Sequence, residues 1–113
     1  METQNLSEQP LVIVLPAQPY LGDELETAIK RASVTGRNTI VDFSLVEMMS
    51  SATICSLMIL ERLLNGAGRQ LVLCCMAPNI MGIFRRVGLQ GLFVFADDQP
   101  AAQQWLQQHP CSC

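Results

Sequence analysis

Two serines stand together in the segment Glu47-Met48-Met49-Ser50-Ser51-Ala52-Thr53, between a β-branched run and a long apolar stretch of helical composition. A hydroxyl at the start of a helix can serve in two ways. It can accept a hydrogen bond from a free backbone N–H of the first turn, an N-cap that requires no function. It can also carry a phosphate, because those N–H groups and the helix dipole favour negative charge. Spacing alone favours the cap, since caps are common and phosphosites rare. Thiol chemistry is the next candidate, with five cysteines in the chain. Cys74 and Cys75 are neighbours in an extended apolar run, so they are expected to point to opposite faces of a sheet and to be unable to clamp one metal. Cys111 and Cys113 close the chain without a second pair at metal-ligand spacing and read as a reduced tail. The single histidine, His109, precedes a proline near the end and reads as a solvated side chain rather than a base. Neither a phosphate loop nor a dinucleotide fingerprint occurs, and Gly66-Ala67-Gly68 ends a helix rather than opening one.

Four of the six methionines complete the set of candidates. Met48 and Met49 follow one predicted strand, and Met76 and Met81 flank the turn after the next. They are expected at one end of the sheet, where soft, adaptable side chains suit a protein-binding surface. Met49 beside Ser50 is the one expected to be exposed.

The composition sets what must position these groups. The 113 residues are half hydrophobic and only 15% charged, with a net charge of −3 and no basic run, which excludes disorder and a phosphate-backbone ligand. The length allows one domain around one core. No apolar run approaches the ~18 residues of a spanning helix, and the N-terminus has no signal-peptide pattern, so a cytoplasmic protein with reduced cysteines is the expectation.

Leu11 to Leu15 is an uninterrupted apolar run ended by Pro16, which predicts a strand covered on both faces. Asp23 to Ala32 places Leu25, Ala28, Ile29 and Ala32 on one helical face, with acids in the first turn. Thr39 to Phe43 is the next strand. Ser51 to Leu64 is apolar nearly all round and predicts a helix buried on most of its circumference, Cys55 included. Gln70 to Met76 is a third strand, Pro78 to Val87 a short helix closed by Gly88, Leu92 to Phe95 a fourth strand. A last helix from Asp97 presents Ala101, Ala102, Trp105 and Leu106 and stops at His109-Pro110. The alternation βαβαβαβα predicts a mainly parallel sheet with crossover helices.

Val41-Asp42-Phe43-Ser44-Leu45-Val46-Glu47-Met48-Met49-Ser50-Ser51-Ala52-Thr53-Ile54 resembles the central signature of STAS domains, the family of bacterial anti-sigma factor antagonists, V-D-L-S-x-V-x-F-x-D-S-S-G-L. Arg62 to Leu73 resembles the family's helix end and glycine turn. Pro78-Asn79-Ile80 through Val87-Gly88-Leu89 and Leu92-Phe93 resemble its P-x-V-x-x-x-L-x-x-x-G-L-x-x-L-F. The resemblance covers about residues 11 to 106. It implies an α/β fold: a single STAS-like domain at residues 11–108 with a mainly parallel sheet of four to five strands and about four helices. Residues 1–10 would form an N-terminal segment in which Thr3 to Ser7 supplies a weak edge strand, and 109–113 a tail.

The resemblance also implies a function. Ser50 matches the serine phosphorylated by a partner anti-sigma factor with kinase activity, Ser51 is the second candidate, and Ser44 matches a serine of the preceding strand end, where a turn role is the plainer reading. Taken with D-S-S-G set on Met49 to Ala52, Met49 stands where the family has aspartate and Ala52 where it has glycine, which removes a carboxylate from the serine loop and restricts backbone approach; counted without a gap from Val41, the same signature puts the aspartate on Ser50, the serines on Ser51 and Ala52 and the glycine on Thr53. The expectation is therefore a regulatory binding module rather than an enzyme, without cofactor or metal. Its partner would be an anti-sigma factor with serine kinase activity, docking on Met48, Met49, Ser50, Ser51, Met76 and Met81 and released by phosphorylation of Ser50. The alternative is a STAS subunit without phosphoregulation, partnered with a membrane lipid-transport ABC system. A thiol catalyst using Cys55 or Cys74 is the disfavoured third reading.

Overall fold

The computed structural model describes residues 10–17, 20–35 and 37–108. The edge strand expected at Thr3 to Ser7 and the tail from His109 lie outside the described residues. Four strands, β1 (Leu11–Val14), β2 (Thr39–Asp42), β3 (Leu71–Cys74) and β4 (Val94–Ala96), alternate with four helices, α1 (Leu21–Thr35), α2 (Ser51–Gly66), α3 (Pro78–Arg86) and α4 (Gln99–Gln108). The order is the expected one. Element ends shift by one to three residues at most termini, and β3 stops at Cys74 instead of running on to Met76.

All pairs in the sheet are parallel and the strands lie in chain order, β1-β2-β3-β4. Right-handed crossovers between successive neighbours put every connecting helix on the same side of a sheet. The core follows that rule. Ile13, Val41, Phe43, Leu71 and Leu73 face Leu25 and Ala28 of α1, Leu57, Leu60 and Leu64 of α2, and Ile80 and Phe84 of α3. The alternate residues Ile40, Val72 and Cys74 face the other way, against Ala102 and Leu106 of α4. Central strands β2 and β3 are therefore buried on both faces, which is why β3 reads as a continuous apolar run, while β2 buries Thr39 and Asp42 at its ends. Strand β1, expected to be covered on both faces, is fully buried only on the Ile13 side; on the other, Val12 is half-buried against the α4 cluster and Val14 is 45% exposed. Phe84, Phe93 and Phe95 interlock edge to face, with centroids 5.5 to 6.4 Å apart, and fix α3 to the β4 edge.

Helices α2 and α3 each end through a glycine with positive φ, Gly68 and Gly88, both at 76°. The backbone N–H after each reaches back to a helical carbonyl, Arg69 to Leu64 at 2.7 Å and Leu89 to Phe84 at 2.9 Å, which satisfies otherwise open acceptors. No described helix is long and apolar enough to cross a membrane.

The expected burial of α2 is corrected. Thr53, Leu57, Leu60 and Leu64 are its buried residues, whereas Cys55, Met58, Ile59 and Leu63 are exposed, Ile59 by 51%. The helix lies against α1 and the sheet on one side, and no described element covers the other.

Candidate functional site

The carboxyl ends of parallel strands are where open α/β sheets place their sites, and the Ser50 loop lies there, between β2 and α2. Three interactions hold it. The backbone N–H of Ser44 donates to Asp42 Oδ1 at 2.7 Å and that of Val46 to the Phe43 carbonyl at 3.0 Å, so the chain turns sharply after β2. Val46 is buried, which pins the middle of the loop to the core. Asn79 Nδ2 donates to the Glu47 carbonyl at 3.2 Å and ties the loop to the start of α3.

Ser50 itself has extended backbone, φ −97° and ψ 167°, and its Oγ accepts from the Thr53 N–H at 3.3 Å. The cap deduced from spacing is present. Ser50 Oγ also lies 3.3 Å from the buried Thr53 Oγ1. Ser50 and Ser51 are both exposed, so the hydroxyl that caps α2 also faces solvent. A phosphate there would meet the open N–H groups of a helix that has no acid in its first turn.

The methionines divide differently from expectation. Met48 is the exposed one, at 72%, while Met49 is half-buried and packs on the core beside Met76. The loop is tied at Glu47 to Asn79, and the two residues that follow part ways, Met48 to solvent and Met49 to the core. Met81, on α3, is half-buried.

A stripe that periodicity could not separate from core runs away from the serines along α2: Ser51, Cys55, Met58, Ile59 and Arg62, all exposed. Together with Glu61 and with Leu92 from the segment before β4, its last four members line an open groove of about 360 Å³. Cys55 and, one turn further on, Met58 and Ile59 form an exposed apolar surface of the kind used for protein contacts, and Ser51 links it to Ser50. Cys55 thus lies on a surface rather than in a buried element.

The second departure concerns the adjacent cysteines. Cys74 is fully buried at the end of β3, but Cys75 has φ 61°, the left-handed region that non-glycine residues rarely enter. The pleat is broken between them. Their sulfurs and an Asp42 carboxylate oxygen consequently all lie within 4.8 Å of one another. Gln99 Nε2 donates to Asp42 Oδ2 at 2.6 Å from the start of α4. Burial pushes the Asp42 carboxyl up, but the hydrogen bonds from Gln99 and Ser44 outweigh it and hold it below its ordinary value. Burial pushes the Cys74 thiol up to about 12, reinforced by neighbouring Cys75, and raises Cys75 as well.

Residues 20–102 match the family model of the STAS domain. The chain belongs to the STAS domain family. Solved structures that share its fold include two anti-sigma-factor antagonist proteins. One is an anti-sigma-factor antagonist (STAS) domain protein from Planctomyces limnophilus, 15% identical, with a TM-score of 0.71 over 88% of this chain and 92% of that one. The other, from Thermotoga maritima, is assigned as an anti-sigma factor antagonist and is 10% identical, with a TM-score of 0.67 over 83% of this chain and 81% of that one. No functionally curated protein matches the sequence. On this STAS fold, Ser50 occupies the cap of α2, and the apolar stripe descends from it.

Proposed function

We propose that this STAS domain is a regulatory binding module of the anti-sigma factor antagonist kind, switched by phosphorylation of Ser50. The observation that carries the reading is the position of Ser50: exposed, capping α2, and at the head of the apolar stripe through Cys55, Met58 and Ile59. An interface laid over Met48, Ser50 and that stripe buries the hydroxyl at little cost. A phosphate at the same atom adds about −1.5 to −2 charge, which the helix N-terminus accepts but an apolar partner surface does not. Binding and release then differ by one modification at one atom, with no change of fold. The partner is an anti-sigma factor with serine kinase activity, which both docks on the face and modifies it. Ser51 is exposed beside it but makes no cap, and is the second acceptor.

Met49 replaces a carboxylate by an apolar anchor, so the loop is positioned by packing on the core. That substitution favours the second reading, a STAS subunit of a membrane lipid-transport complex that docks through the same face without phosphorylation. Incubation with purified anti-sigma factor kinases and ATP, followed by peptide mass spectrometry, decides between them. The expected product carries one phosphate on Ser50 and loses affinity for the kinase. Failure of every kinase to modify the chain, with binding to a transporter subunit instead, establishes the second reading.

A further inference from the structure

The Asp42, Cys74 and Cys75 cluster lies on the α4 side of the sheet, and apart from the bond by which Asp42 holds the turn at Ser44 the proposed partner face makes no use of it. Three features converge there. Two thiols and a carboxylate oxygen lie mutually within 4.8 Å. A tetrahedral zinc-type centre, with bonds of about 2.0 to 2.3 Å, needs its ligands about 3.5 to 3.8 Å apart, so closure takes shifts of about 1 Å at most. Next, Cys75 adopts a backbone conformation that costs on its own account, and such strain collects where a site requires a side chain to be turned. In regular extended backbone its sulfur would lie on the opposite face from Cys74. Finally, Asp42 is held by the Gln99 amide and the Ser44 N–H, the arrangement of outer hydrogen bonds that aims a ligating carboxylate.

We propose that Asp42, Cys74 and Cys75 form a binding site for a thiophilic divalent cation of the zinc class, with solvent completing the coordination. On binding, both S–H bonds break, two protons leave to solvent and two cation–sulfur bonds form, together with one bond to the carboxylate that is already ionised. No electron is transferred. Cys74 is fully buried and Cys75 half-buried, so the cation enters from the Cys75 side, at the mouth between β3 and the start of α4. Asp98, exposed at that mouth, adds negative charge. Occupancy would tie the ends of β2 and β3 together, and through Gln99 would tie them to α4.

Cobalt(II) is the probe, because thiolate ligation gives it an intense near-ultraviolet charge-transfer band. The full chain carrying Cys55→Ser, Cys111→Ser and Cys113→Ser, kept reduced with a phosphine, is titrated under argon. The expected result is one equivalent bound with the charge-transfer band, displaced by zinc, and binding at least tenfold weaker in Asp42→Asn. Cys75→Ser, at a half-buried position, is expected to fold normally by circular dichroism and to lose the band. Cys75→Gly is expected to lose it while melting higher, since glycine removes the backbone strain. Absence of the band in the triple-serine protein overturns the proposal, as does a band that survives in folded Cys75→Ser or Cys75→Gly.

Discussion

Replacing Ser50 separates stability from binding, because the fold and the partner read the same atom with opposite preferences. In Ser50→Ala, α2 loses the Oγ that accepts from the Thr53 N–H. At 3.3 Å that bond is long, which places its loss in the lower part of the N-cap range, about 0.5 to 1 kcal/mol. The Thr53 hydroxyl, 4% exposed and 3.3 Å from Ser50 Oγ, loses this neighbour too, at about 0.5 to 1 kcal/mol more. At roughly 4 °C per kcal/mol for a chain of this size, Ser50→Ala should melt about 4 to 8 °C below wild type. Aspartate caps as well as serine, and with no other acid in the first turn of α2 it gains about 0.3 to 1 kcal/mol from the helix dipole. Ser50→Asp should therefore melt at or slightly above wild type. Affinity for the anti-sigma factor, measured by calorimetry, should rank the other way. Alanine should bind like serine, and aspartate at least a hundredfold more weakly, since an unpaired carboxylate buried in an interface costs several kcal/mol. Equal affinities for all three proteins, or affinity that falls in step with melting temperature, would refute the reasoning.

Three further outcomes follow from other parts of the molecule. Phe84→Ala, which removes the ring shared by Phe93 and Phe95, should lower stability by about 3 to 5 kcal/mol in urea unfolding. Ile59→Ser, on the outer face of α2, should change it by no more than about 0.5 kcal/mol while weakening partner binding in the same calorimetric assay. Native Cys74 holds its proton to about pH 12, whereas in the unfolded chain it ionises from about 9.0, so the unfolded state binds fewer protons between those values and stability falls as pH rises through them. The slope approaches at most about 1.4 kcal/mol per pH unit for one such thiol, and Cys74→Ala should flatten urea midpoints measured across pH 8 to 10.5.

Much of the architecture could be read from residue order, for identifiable reasons. Val72 sits in a strand buried on both faces, so its apolar run is unbroken, and Gly68 and Gly88 mark helix ends because their positions demand positive φ. The cap at Ser50 was readable from local spacing because an N-cap is a local interaction. The outer face of α2 was not. Ile59 and Leu57 are chemically alike, and only the neighbours of the folded helix decide that one is exposed and the other buried. Met48 and Met49 exchange their expected roles because a loop's direction depends on distant contacts such as Asn79 with Glu47. The meeting of Cys74 and Cys75 was hidden most completely, since it depends on one backbone dihedral of a residue type that seldom adopts it.

Because the strands are laid down in chain order, with every crossover on one side, the domain grows at a single edge as each βα unit is added. Nothing on the second side is closed until α4 arrives. A chain stopped before Gln99 would hold a complete sheet with Ile40, Val72 and Cys74 bare, and would lack the amide that secures Asp42. The last helix is therefore the latch of this domain: its release would expose an apolar sheet face and take the Gln99 amide from the Asp42 carboxylate that holds the turn at Ser44, at the root of the loop that carries Ser50.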